Sequence, residues 1–130
     1  MTTELLYLVL VAALTGVMFV PYVLNRIAVW GLADTVGYPE NPKPQTPWAK
    51  RMKAAHANAV ENLVVFAPLV LVVEVVGVNN GATAAACMVY FWARVAHLGA
   101  YTFAIPWLRT LAFTAGFLCQ AVLAWQCLAA

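Results

Sequence analysis

A cluster of polar residues opens a segment that soon becomes entirely apolar. The stretch KRMKAAHANAVENLVVF, residues 50–66, holds five side chains able to contact a polar ligand: Arg51, His56, Asn58, Glu61 and Asn62. Arg51 and Asn58 are seven residues apart, and Glu61 and Asn62 follow Asn58 by three and four. At 3.6 residues per turn, these spacings place the side chains along one face of a helix. We therefore expect one polar wall on this helix.

A second polar stripe lies in a later apolar segment, at Tyr90, Arg94, His97 and Tyr101. An arginine inside an apolar span costs about 2.5–3.5 kcal/mol, so such residues face a bundle interior or a watery cavity and have a partner. Glu61 is the expected partner of Arg94. An ion pair that only fixes helix register, with no ligand, is the structural alternative.

Two more arginines lie near the ends of apolar segments, Arg26 after the first and Arg109 at the start of the last. Arginines bind carboxylates in bidentate fashion, and an acidic side chain binds an ammonium group. Arginines grouped with an acid, amides and a tyrosine would suit a small zwitterion that carries several carboxylates. Glutathione has this charge pattern.

The elements that must position these residues are membrane helices. Hydrophobic residues make up 65% of the 130-residue chain and charged residues only 9%, whereas soluble domains have roughly 45–50% and 25%. Four apolar stretches are long enough to cross a bilayer, at about 5–24, 63–78, 82–103 and 107–128. The sequence predicts an all-α integral membrane protein, an up-down bundle of four transmembrane helices in one domain, 1–130. The expected helices cover about 4–32, 47–77, 82–103 and 106–129.

The connections define the topology. The segment DTVGYPENPKPQTP contains four prolines and is the only long loop. Thr46-Pro47 is typical of a helix start. Cations concentrate around this loop and after the third helix, which by the positive-inside rule predicts that these connections are cytoplasmic and both termini lie on the opposite side. A bacterial inner membrane is the expected location.

Several classes of function are disfavoured. No basic stripe with interleaved aromatics suggests nucleic acid, and the three cysteines lack metal-ligand spacing. His56 and His97 as haem ligands would lie near one membrane face without companions. A small proton-coupled exporter would need a carboxylate embedded in the first span, and residues 5–24 have none.

Three segments together resemble the MAPEG family, the membrane-associated proteins of eicosanoid and glutathione metabolism. RMKAAHANAVENLVVF is similar to the family signature E-R-x-x-R-A-H-x-N-x-x-E-N, and ARVAHLGAY is similar to A-R-x-x-[HY]-x-x-x-Y. PWLRTLAFTAGF resembles the start of the family's fourth helix. Their order and spacing cover nearly the whole chain.

The resemblance implies a homotrimer with glutathione sites between adjacent subunits, lipophilic substrates arriving through membrane lipid, and no metal. Arg109 corresponds to the family's thiol-activating arginine. The residues expected to bind glutathione are Arg26, Arg51, His56, Asn58, Glu61, Asn62, Arg94, His97 and Tyr101. The implied activity is that of a glutathione transferase or peroxidase.

The helix-2 signature differs from the family pattern at two positions. Ala54 replaces the second arginine, and Lys50 replaces the opening acid. In the family this arginine helps to hold glutathione, so Ala54 removes a charge-assisted contact worth roughly 1.5–3 kcal/mol. The alternative function is therefore a non-enzymatic trimer that binds another anionic metabolite or a lipid headgroup, or that is purely structural.

Overall fold

The computed structural model describes all 130 residues and contains helices and no strands. The elements are α1 (Thr3–Val17), α2 (Phe19–Trp30), α3 (Leu32–Val36), α4 (Pro47–Val76), α5 (Gly81–Thr102) and α6 (Pro106–Leu128). The proline-rich segment between α3 and α4 has no helix, because proline fixes φ and cannot donate a backbone hydrogen bond.

The first apolar segment is interrupted, although the sequence predicts one helix over about 4–32. α1 ends at Val17 and α2 begins at Phe19, with a turn at Met18. Pro21 has no N–H to donate to the carbonyl of Val17, four residues earlier, so the helical hydrogen-bond ladder loses a bond at this point. Gly31, with φ of 82°, then ends α2 and separates it from the short α3.

The long helices are packed through α4 and α5. α4 contacts α1, α2, α5 and α6, whereas α5 contacts α1, α4 and α6. The largest cluster of buried side chains joins α4 to α5 and α6 through Phe66, Val70, Tyr90 and Leu123, among others. Phe66 and Tyr90 stack with ring centroids 3.8 Å apart and planes within 7°. Toward its N-terminus α4 instead buries small residues such as Ala55 and Ala59.

Much of the outer surface is apolar. Large side chains such as Val64, Leu71, Val75, Leu111 and Trp125 are exposed. Three helical segments are long and apolar enough to cross a membrane, Thr3–Trp30, Pro47–Val76 and Pro106–Leu128. An apolar exterior of this kind is stable only in an apolar solvent, and the chain is an integral membrane protein. α5 is not among the three candidate spans.

A buried carboxylate ties the start of α1 to the start of α5. Glu4 is 3% exposed, and the Thr83 hydroxyl donates a 2.5 Å hydrogen bond to its carboxylate. The same hydroxyl accepts from the Asn80 backbone N–H as part of a capping box at the N-terminus of α5. One side chain therefore satisfies both a helix terminus and a buried acid.

Replacing this threonine should destabilise the fold. Thr83→Ala removes the hydroxyl that donates to a buried carboxylate, which we expect to lower the free energy of unfolding by about 2 kcal/mol. Thermal unfolding of the full chain in detergent measures the change. Thr114→Ala is the control, since Thr114 is exposed and bonds only within its own helix, and it should change stability by less than about 0.5 kcal/mol. Equal shifts for both variants would contradict the assigned role of Thr83.

Candidate functional site

The tight connection between α5 and α6 builds one corner of a polar site. The Ile105 N–H donates to the Ala100 carbonyl at 2.8 Å, and the Ala104 N–H donates to the Tyr101 carbonyl. Ala104 adopts a φ of 58°, in the left-handed region that side chains seldom occupy. This turn brings Tyr101 and Arg109 together, so that the Arg109 guanidinium carbon lies 4.9 Å from the Tyr101 ring centroid.

Arg51 reaches the same corner from α4. Its Nε donates to the Thr102 carbonyl at 2.8 Å. Thr102 is the last residue of α5, where backbone carbonyls lack helical donors and the helix dipole favours a cation. The helix end therefore orients the guanidinium of Arg51. Arg51, Tyr101 and Arg109 line a cavity of about 180 Å³ together with residues of the connection.

A neighbouring cavity of about 300 Å³ extends between α4, α5 and α6. Asn58, His97, Tyr101 and Arg109 line it together with Thr110 and Phe113. Because Tyr101 and Arg109 line both cavities, the two adjoin. We call the pair the arginine pocket. Its members from the expected set are Arg51, Asn58, His97, Tyr101 and Arg109.

His97 is the buried member of the arginine pocket. It is 2% exposed, and its Nδ1 has no hydrogen-bond partner in the chain. Its ring packs edge-on against Tyr101 and near Phe113, with centroids 5.6 and 6.3 Å apart. A buried polar atom without a partner is unusual in a folded protein, and here it belongs to a residue that lines a cavity.

A chain of amides holds Asn58 in place. Arg94 Nη2 donates to Asn58 Oδ1 at 2.8 Å, and Asn62 Nδ2 donates to the backbone carbonyl of Asn58 at 2.9 Å. Gln120 from α6 donates in turn to Asn62 Oδ1 at 3.4 Å. Since its carboxamide oxygen is occupied by Arg94, Asn58 is oriented with Nδ2 available as a donor to a ligand.

The expected ion pair between Arg94 and Glu61 is wrong. Arg94 is 5% exposed and donates to Asn58, whereas Glu61 is exposed and lines neither cavity. Glu61 follows Asn58 by three residues, so its side chain is rotated by about 60° from that of Asn58 around the axis of α4. That rotation carries Glu61 off the side of α4 that meets α5.

The remaining expected residues lie elsewhere. Asn62 and Arg94 donate hydrogen bonds to Asn58 and do not themselves line the two cavities. His56 turns toward α2, where its Nδ1 is hydrogen-bonded to the Tyr22 hydroxyl at 2.7 Å. Arg26 lies at a different cavity, formed with the proline-rich loop. In a single chain, therefore, the structure does not bring Arg26, His56 and Glu61 to the arginine pocket.

Sequence reasoning missed three contributors to these contacts. Gln120 is an amide in the middle of an apolar helix, whereas Gln126 lies near its end, and this position could have identified Gln120 as a network member. Tyr22, the partner of His56, has no such signal because tyrosine is common near membrane interfaces. The Thr102 carbonyl that holds Arg51 belongs to the backbone, so no residue type could have indicated it.

The arginine pocket is suited to an anionic ligand. Two guanidinium groups and an amide donor can bind carboxylates, and no acidic side chain lines either cavity. An ammonium group of such a ligand has no carboxylate partner within the pocket of a single chain, because Glu61 lies outside.

The three candidate spans and the apolar exterior define the class of protein, a helical integral membrane protein with a polar pocket between its helices. The MAPEG family model matches residues 5–129, and the chain belongs to the MAPEG family. No curated protein and no solved structure matches the chain. Family membership supports a membrane role related to glutathione or eicosanoid metabolism in general.

Removing the acceptor of Arg94 should be costly. Asn58→Leu leaves a buried guanidinium without its partner, and we expect a loss of about 2–4 kcal/mol in the free energy of unfolding. Thermal unfolding in detergent tests this, with Asn41→Leu in the exposed loop as the control. A loss no greater than that of the control would show that Arg94 does not depend on Asn58.

Proposed function

We propose that the protein is a membrane-bound glutathione transferase or peroxidase that binds glutathione in the arginine pocket. One observation carries the proposal. In a MAPEG chain, Arg51 and Arg109 from different helices line adjoining cavities with Asn58 and with His97, whose buried Nδ1 has no partner. Binding and activity are inferred from this chemistry.

Binding would use groups that the fold leaves free. The Arg51 Nε is committed to the Thr102 carbonyl, so its terminal nitrogens remain to bind a carboxylate. Asn58 offers Nδ2, and His97 offers Nδ1 as a donor or an acceptor according to its tautomer. Arg109 is exposed and rests on the Tyr101 ring, which limits its positions while leaving its N–H groups available.

Chemistry would depend on Arg109. A free thiol has a pKa of about 8.5, and each unit of depression of the pKa needs about 1.4 kcal/mol of preferential stabilisation of the thiolate. Arg109 is exposed in the single chain, so its guanidinium would supply one or two such units once a neighbouring subunit covers the pocket and lowers the local dielectric. The thiolate would then attack an electrophilic carbon, forming a carbon–sulfur bond as the leaving group departs. Alternatively, it would attack a hydroperoxide oxygen, which breaks the O–O bond, releases the alcohol after proton uptake from water and leaves glutathione as a sulfenic acid. A second glutathione would reduce this sulfenic acid to the disulfide with loss of water. Phe113 and Ile105 give the cavities apolar walls for a lipophilic substrate.

We further propose that α5 is a fourth span. Its 22 residues extend about 33 Å at 1.5 Å per residue, which matches a hydrocarbon core of about 30 Å. Arg94 and His97 lower its hydropathy, yet both are buried among the helices rather than exposed to lipid. The cationic connections would face the cytoplasm, with both termini opposite, as in a bacterial inner membrane protein.

A homotrimer would complete the site. Glu61 is exposed on α4 in the single chain, and subunit contact could turn it toward the ammonium group of glutathione bound at a neighbouring pocket. The exposed apolar side chains of α6, such as Leu118, leave ample area for either lipid or another subunit.

Removing the Arg109 guanidinium tests the enzyme proposal. We expect Arg109→Ala to weaken glutathione binding about tenfold or more and to abolish the ultraviolet absorbance of bound thiolate, because a charge-assisted contact is worth roughly 1.5–3 kcal/mol. Isothermal titration and absorbance on the full chain in detergent measure both effects. Lys43→Ala is the control, since it removes a cation outside the pocket.

Two results would overturn this proposal. One is the absence of glutathione binding at millimolar concentration to the unaltered protein. The other is native mass spectrometry that shows a different anionic metabolite retained in the pocket, which would favour a non-enzymatic binding protein.

Ala54 offers a gain-of-function test. It lies three residues after Arg51 and four before Asn58, so it shares their face of α4. An arginine here could add one charge-assisted contact, and we expect Ala54→Arg to tighten glutathione binding about tenfold or more. Ala54→Gln, which adds length without charge, should change affinity by less than threefold. Similar affinities for the two variants would show that Ala54 does not face bound glutathione.

A further inference from the structure

A third cavity, of about 340 Å³, lies where the end of α2, the proline-rich loop and the start of α4 meet. Four cations line it, and no carboxylate does: Arg26, Lys43, Lys50 and Lys53. We call it the lysine cavity. None of the residues of the arginine pocket line it, so it is a separate site.

The walls of the lysine cavity are held by hydrogen bonds. Trp30 Nε1 donates to the Lys43 carbonyl at 2.5 Å, and Gln45 Nε2 donates to the Tyr22 carbonyl at 2.9 Å. Asn25 Nδ2 donates to the Thr46 hydroxyl at 2.8 Å. These bonds fasten the loop to α2 at successive points, and its prolines restrict the backbone between them. The backbone around the cavity is therefore held in one arrangement, which fixes the positions from which the cationic side chains extend.

The cations lack partners. The Arg26 Nε is buried and has no hydrogen-bond acceptor, and its guanidinium carbon lies 5.2 Å from the Trp30 ring centroid. Asp34 lines an adjoining cavity that shares Trp30 and Lys43 with this one, and the loop carboxylate Glu40 lines neither cavity. Like charges gathered at one cavity repel each other, and a bound anion would remove both the repulsion and the unsatisfied donor.

The position of the cavity indicates where the anion comes from. The apolar segment Thr3–Trp30 ends at this cavity, and Trp30 lines it, as expected of a tryptophan at a membrane interface. Lysine and arginine clusters between helices at that depth bind the phosphate groups of anionic lipids. We propose that the lysine cavity binds the phosphate-bearing headgroup of an anionic phospholipid, independently of the arginine pocket.

The test compares lipids by native mass spectrometry of the full chain in detergent. We expect phosphatidylglycerol to bind at least tenfold more tightly than phosphatidylcholine. Lys43→Ala/Lys50→Ala should lower that preference to about twofold or less, whereas Lys43→Arg/Lys50→Arg should retain it. Arg109→Ala is the matched control, because it removes a cation from the arginine pocket and should leave lipid preference unchanged.

The following outcomes would overturn the proposal. Equal binding of the two lipids, or a preference that survives in the double alanine variant, would exclude the lysine cavity as a headgroup site. Glycerol 3-phosphate is titrated in parallel, and binding of it as tight as that of phosphatidylglycerol would assign the cavity to soluble phosphate esters instead. Glutathione titration of the double alanine variant should match the unaltered protein, so failure of the lipid site and failure of the glutathione site are distinguishable.

Discussion

A buried arginine on α5 with a single amide partner on α4 organises the middle of this protein. Arg94 is nearly inaccessible and donates to Asn58 at 2.8 Å. In an apolar surrounding a guanidinium without an acceptor is far costlier than a misplaced apolar side chain. The register of α5 against α4 is thus fixed by this contact, and the amides of Asn62 and Gln120 extend the constraint to α6.

The arginine pocket follows from that register. With Arg94 facing Asn58, His97 lies less than one turn further along α5 and Tyr101 one turn beyond that, so the stripe leads to the α5 C-terminus. The short connection with its left-handed Ala104 then returns the chain at once, and Arg109 arrives beside Tyr101. Arg51 meets them because the unsatisfied carbonyl of Thr102 attracts a cation to the same helix end.

Much of this arrangement could be predicted from residue types and spacing. Thr46-Pro47 indicated the start of α4, which begins at Pro47, and the stripe on α5 indicated the residues that face inward. The partner of Arg94 could not be predicted from residue types, because charge alone favours Glu61. Arg94 contacts Asn58 instead, and that contact depends on the rotation of α4 and on the packing distance between α4 and α5. The break at Met18 was missed because Pro21 is tolerated in many membrane helices, and its effect depends on whether neighbouring groups replace the lost bond.

The arginine pocket and the lysine cavity are separated by the geometry of a single helix. Arg51 is adjacent in sequence to Lys50 and two residues from Lys53, yet α4 rotates about 100° per residue and sends Arg51 to one cavity and both lysines to another. Ala54 shares the face of Arg51, and Lys53 beside it shares the face of Lys50. The family signature has an arginine at the position of Ala54, on the face of α4 that is shared with Arg51. This chain has alanine there, and its Lys50 and Lys53 lie on the face of α4 toward the loop. Relative to that signature, the charge of α4 is therefore weighted toward the lysine cavity, at the end of the helix where it meets the loop.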